Sequence, residues 1–173
     1  MNRLHPLSFL KQYRHSKGYG VHSPFAYRFI TETLCDRKAT YYLDPTLRYN
    51  GRGDEKVLKL TLRVLCALKP KSIGLLPNAQ SRIRDIIKEV DSEIVINFND
   101  PEMFIVSPDY KNDAKERIVE CLERGGNVLW GKYDKEALEI VSGMKHGMTF
   151  TNGHSLIAVG RRDLPRQDFN LFF

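Results

Sequence analysis

The sequence predicts an α/β fold: a mostly parallel open sheet with helices on both faces, behind a helical N-terminal region. Three observations carry this. From residue 72 onward, short apolar runs alternate with segments of helical periodicity, the pattern of parallel strands joined by right-handed crossovers. The last two of these runs flank Asn152-Gly153, a strong short-range hairpin signal. Residues 1–70, by contrast, read as helices and loops. At 173 residues, with 42% hydrophobic and 28% charged side chains, the chain suits a single domain, 1–173, with 71–173 as the sheet-bearing core.

The elements follow in order. Leu7, Phe9, Leu10 and Tyr13 form an apolar cluster, and Gly18 and Gly20 then mark a turn. Ser23-Pro24 is a helix-start signature, because the serine oxygen can accept from an orphan amide and proline has none to leave unpaired. That helix runs to about Leu34, with Phe25, Phe29, Ile30 and Leu34 on one face. Residues 36–53 carry turn residues and read as a loop. Asp54 caps a helix with Val57, Leu58, Leu62, Leu65 and Leu68 inward, ending before Pro70.

Residues 72–76 form the first strand, and Asn78 caps a helix to residue 90 with Ile83, Ile86, Ile87 and Val90 inward. Strands follow at 93–98 and 103–107. Asp113 and Glu116 make a capping box for a helix with Ile118, Cys121 and Leu122 inside and Gly125 as its stop. A strand at 127–131, a helix over 134–145, the hairpin and the tail QDFNLFF complete the chain, for a sheet of about six strands.

Several classes are set aside. No run approaches the 18 apolar residues of a membrane span, and the N-terminus does not read as a secretory signal, so a cytoplasmic protein with no membrane partner is expected. Cys35, Cys66 and Cys121 read as buried free thiols. His146 and His154 lack partners at metal spacing, and no metal is expected. Ser81, Ser107 and Ser155 lack the glycine frame of a hydrolase nucleophile. Trp130 reads as core, and Arg82, Arg84 and Lys88 as a solvated helix face.

Charge is uneven. Residues 1–72 hold 14 Lys+Arg against 5 Asp+Glu, in a chain of net charge +6, and interleave them with Tyr13, Tyr19, Phe25, Tyr27, Tyr41, Tyr42 and Tyr49. Arg14, His15, Lys17, His22 and Arg28 are therefore candidates for gripping a polyanion or nucleic acid. The alternative is an ordinary solvated basic surface around a turn.

Parallel units closing in an antiparallel hairpin resemble the Rossmann-like fold of class I S-adenosylmethionine-dependent methyltransferases. More closely, HSKGYGVHSPFAYRFI at 15–30, Tyr41-Tyr42, LKLTLRVLCALKPKSIG at 58–74 and the tail 155–173 resemble small bacterial O-methyltransferase-like proteins with an added N-terminal helical region. The resemblance implies S-adenosylmethionine as cofactor, with Gly74, Asn78 and Asp100 as the residues placed to bind it. It also implies glycines and an acid after the first strand, where this chain has Leu75-Leu76-Pro77, and it implies a helix, a strand and a helix between the second strand and residue 103, where this chain has none. Three readings stand: a degenerate scaffold without catalytic activity that serves as an interaction or regulatory module and takes no cofactor; an active methyltransferase with an atypical cofactor site; or a polyanion-binding module using the basic N-terminal third. A trimmed sheet with an exposed edge also predicts self-association into a homo-oligomer.

Overall fold

A computed structural model describes residues 6–35, 52–76, 81–107 and 114–173. Tyr41, Tyr42, Tyr49, Asn78 and Asp113 lie outside these, so the Asn78 cap and the Asp113–Glu116 box do as well. The described chain is α/β, with seven strands in one mixed sheet of order β2-β1-β3-β4-β6-β5-β7. β1 (Ser72–Leu76), β2 (Val95–Ile96), β3 (Met103–Val106) and β4 (Asn127–Trp130) are parallel. β5 (Met148–Thr151) and β6 (Leu156–Val159) form the hairpin across Asn152-Gly153, and β7 (Gln167–Asn170) pairs in parallel with β5.

Helices cover both faces, as the alternation predicts. α3 (Arg52–Leu68) and α4 (Ser81–Val90) place Leu58, Leu65, Ile83 and Ile86 in one buried cluster with Ile73, Leu75 and Ile105. α5 (Lys115–Arg124) and α6 (Lys135–Ser142) place Ile118, Cys121, Ala137 and Ile140 in a second cluster with Phe104, Val106, Val128 and Trp130. Alternate residues of each strand feed opposite clusters because side chains on a strand point to opposite faces. Gly125 ends α5 with φ of 102°.

The N-terminal region is helical. α1 (Pro6–Ser16) leads through a turn to α2 (Pro24–Arg28), which Ser23 caps by accepting from the Ala26 amide at 3.3 Å. Beyond Arg28 the expected α-helix widens into a π-helical turn, Phe29–Leu34, in which the Cys35 amide donates to the Ile30 carbonyl five residues back. The wider turn buries Phe29, Ile30, Thr33 and Leu34 together.

Four further expectations are corrected. α3 starts at Arg52, so Asp54 lies inside it rather than at its cap. The hairpin does not simply add at the sheet's side: β6 inserts between β4 and β5, antiparallel to both. The sheet has a seventh strand, because Gln167–Asn170 needs only one apolar residue, the buried Phe169, to pair at an edge. The second strand shrinks from 93–98 to Val95–Ile96, since Asn97 Oδ1 accepts the Asn99 amide at 2.9 Å and turns the chain out of the ladder.

Residues 97–102 then carry the chain back across β1, from one of its neighbours to the other. The Glu102 carboxylate accepts the Lys71 amide at 2.8 Å, and Ser72 Oγ accepts the Glu102 amide at 3.0 Å. The β1–α4–β2 and β2–β3 connections step in opposite directions along the sheet. Right-handed crossovers therefore put them on opposite faces, α4 on one and residues 97–102 on the α5 side.

Candidate functional site

In an open sheet of this kind ligands bind beyond the carboxyl ends of the strands, where the strand order reverses. Here that point lies between β1 and β3, which end at Leu76 and Val106. The Ser107 amide continues the ladder by donating to the Leu76 carbonyl at 2.7 Å. Gly74 sits two residues inside β1, not in the turn after it, and the space over its Cα is filled by protein. A Cβ built there would lie 2.3 Å from Cε1 of Phe104 and 3.0 Å from Cγ of Pro101. Gly74 is thus the position that lets the short crossover pass close to the sheet.

Asp100 lies on that crossover with φ of 59°. β2 ends level with Ile73, three residues before the end of β1, so it stops about 10 Å short of the sheet's carboxyl edge. Asp100 instead meets Arg124, the last residue of α5, at 3.0 Å, and with Phe98, Pro101 and Arg117 it borders a cavity of 260 Å³. Gly74 lies under the Pro101–Phe104 layer and does not line it. Gly74 and Asp100 are therefore not brought into one cleft.

The carboxyl edge does hold a larger cavity, of 600 Å³, further along the sheet. Val57 and Leu60 of α3, Leu34 and Phe172 form its apolar wall, with Lys56 and His154 at its rim. Three of its polar side chains are already engaged: Ser155 Oγ donates to the Gly131 carbonyl at 2.8 Å, Asn152 Nδ2 to Phe173 O at 3.0 Å, and Arg63 Nη1 to the Leu34 carbonyl at 3.0 Å. Sequence reading missed this cavity, because its walls come from four segments far apart in the chain.

The basic candidates divide. Arg14 and His15 line one concavity of 310 Å³, together with Leu10, Lys11, Tyr19 and Gly20. Lys17, His22 and Arg28 are exposed but do not line it. The turn that carries Tyr19 needs glycine at 18: φ there is 80°, and a Cβ would meet the Tyr27 ring at 2.5 Å. Burial lowers the His15 pKa below its ordinary 6.5, and the charges of Lys11 and Arg14 lower it further. Lys11 was not among the sequence candidates; its place one helical turn from His15 was the available signal.

Other chemistry is sparse. Cys121 is buried, with its thiol pushed up to about 11 by desolvation, and Cys35 is half-buried. Cys66 is exposed, against the expectation that it be buried. Trp130 is fully buried, and His154 is exposed. Among the described residues no group of three or more His, Cys, Asp or Glu could hold a metal, and no helix is long and apolar enough to cross a membrane. The chain matches no family model, no curated protein and no solved structure.

Proposed function

We propose that this chain is a methyltransferase-like α/β scaffold that works by binding a partner rather than by transferring a methyl group. One observation carries the reading: residues 97–102 cross β1 directly, with Pro101 and Phe104 against Gly74. In the family the chain resembles, a helix, a strand and a helix occupy that interval and help cover the adenine. Here the glycine that would open the backbone to a cofactor faces an aromatic ring instead, and Asp100 is held by Arg124. Leu76 adds to the same reading, because it is buried against the second core cluster just where the family leaves its backbone amides free. The scaffold side of the resemblance draws support from β6, inserted antiparallel between β4 and β5.

The test is calorimetric titration with S-adenosylmethionine and S-adenosylhomocysteine, with mass spectrometry of the purified protein for bound cofactor. No heat at millimolar ligand is expected. Binding at micromolar strength, about −8 kcal/mol, would overturn the reading and favour an active methyltransferase with an atypical site.

A further inference from the structure

α1 is turned inside out. A surface helix ordinarily buries its apolar stripe, yet among the described side chains of α1 the buried ones are Gln12 and Ser16, which hydrogen-bond to the segment just after β7. Phe9, Leu10 and Tyr13 are 53%, 54% and 50% exposed. On a helical wheel at 100° per residue, Tyr13 and Leu10 span one outward arc, with Phe9 at its margin against the Phe172 ring at 5.1 Å, and Arg14 and Lys11 continue it. Neither Lys11 nor Arg14 meets a carboxylate among the described residues. The arc ends at the 310 Å³ concavity, whose lining pairs Lys11, Arg14 and His15 with Tyr19, itself 64% exposed.

The composition of this face selects its partner. Among the described large exposed apolar side chains of this face, Phe9, Tyr13 and Tyr19 are rings and Leu10 is aliphatic. Anchoring in a bilayer draws on apolar residues along a full helical face, whereas one side of this helix is committed to the segment after β7. A nucleic-acid duplex offers phosphates but hides the faces of its bases. A single strand offers phosphates and open base faces side by side, which cations and aromatic rings bind together.

We infer that the outward face of α1 and its concavity bind single-stranded nucleic acid, with Lys11 and Arg14 on the phosphates and Tyr19 and Tyr13 stacked on bases. This rests on the reading of the chain as a binding module and names its partner. The probe is a labelled oligothymidylate of about 20 nucleotides, longer than the ~4–16 such surfaces cover, followed by fluorescence anisotropy with the full chain over a range of salt concentrations.

Binding that weakens with salt is expected. Lys11→Ala with Arg14→Ala weakens it at low salt and makes the slope of log affinity against log salt shallower by about 1.4, from ~0.7 per phosphate contact. Tyr19→Ala weakens it about tenfold at unchanged slope, and Tyr19→Phe retains it. All three substituted side chains are exposed, and circular dichroism verifies that each variant is folded. No binding at low salt, equal binding to the duplex of the same length, or binding to phosphatidylserine vesicles in place of the oligonucleotide overturns the inference. None of these results alters the cofactor titration, so failure here is distinct from failure of the proposed function.

Discussion

The side-chain amide of Gln12 donates to the main-chain oxygen of Leu171 at 2.8 Å and to Asn170 Oδ1 at 3.0 Å, joining the first helix to the last strand of the sheet. Ser16 completes the joint by accepting the Phe172 amide at 2.7 Å. These buried polar contacts hold α1 where a sheet edge would otherwise offer open backbone groups.

Replacing Gln12 with leucine removes both donations and leaves the Leu171 carbonyl without this partner, at a cost of about 1–3 kcal/mol. Urea unfolding measures that loss. Ser16→Ala should raise hydrogen exchange at the Phe172 amide selectively; unchanged exchange there would show that the joint does not hold in solution.

Gly74→Ala drives a Cβ to within 2.3 Å of the ring of Phe104, its register partner on β3, and to 3.0 Å from Pro101 of the crossover. Overpacking of this kind destabilises by about 1–3 kcal/mol. Phe104→Leu in the alanine background should recover part of the loss, so a double-mutant cycle shows coupling. Additivity of the two substitutions within about 0.5 kcal/mol would contradict the contact.

The thiols should differ sharply in reactivity, because the thiolate is the attacking species. Burial raises the Cys66 pKa, yet its side chain is exposed and reagent can reach it. Cys121 is buried, with a pKa pushed up to about 11. Labelling at mildly alkaline pH, followed by peptide mapping, should modify Cys66 well before Cys121, and Cys121 only at the rate of unfolding. Equal rates at the two positions would refute the placement of Cys121.

His15 gives the stability a pH dependence of definite sign. Burial first, then Lys11 and Arg14, hold its pKa below the ordinary 6.5 in the folded chain. The unfolded chain therefore binds more protons in this range, and stability rises with pH. The penalty appears as pH falls through 6.5 and is complete below the lowered native value. His15→Gln should flatten this part of the profile. Salt should reduce only the share that Lys11 and Arg14 supply, so a profile unchanged by the substitution would remove His15 as its source.

Much of the architecture was legible because local rules carried it. Ser23 caps the helix at Pro24, Gly125 stops α5, Asn152-Gly153 turns the hairpin, and Ile83, Ile86 and Ile87 lie on the buried face of α4. The π-helical turn at Phe29–Leu34 was not legible, since its sequence spacing equally suits an α-helix and only burial of four side chains selects the wider pitch. β7 was hidden by its single inward residue. At the candidate sites, the basic region was evident in composition. The grouping of Lys11, Arg14 and His15 opposite Tyr19 depends on a turn that folds back along α1.

The sequence by itself determined the alternation of strand and helix, the caps and turns, the helical N-terminal region and the brevity of the chain between the second and third strands, all of them properties of residues near one another. Only the tertiary structure decided where Gly74 and Asp100 would stand. A connection of so few residues must run tight against β1, and doing so sets Pro101 over Gly74, beside the ring of its β3 register partner Phe104, and carries Asp100 to Arg124. Tertiary structure also set the facing of α1: Gln12 and Ser16 are committed to Leu171 and Phe172 just after β7, which leaves Leu10 and Tyr13 on the outer side.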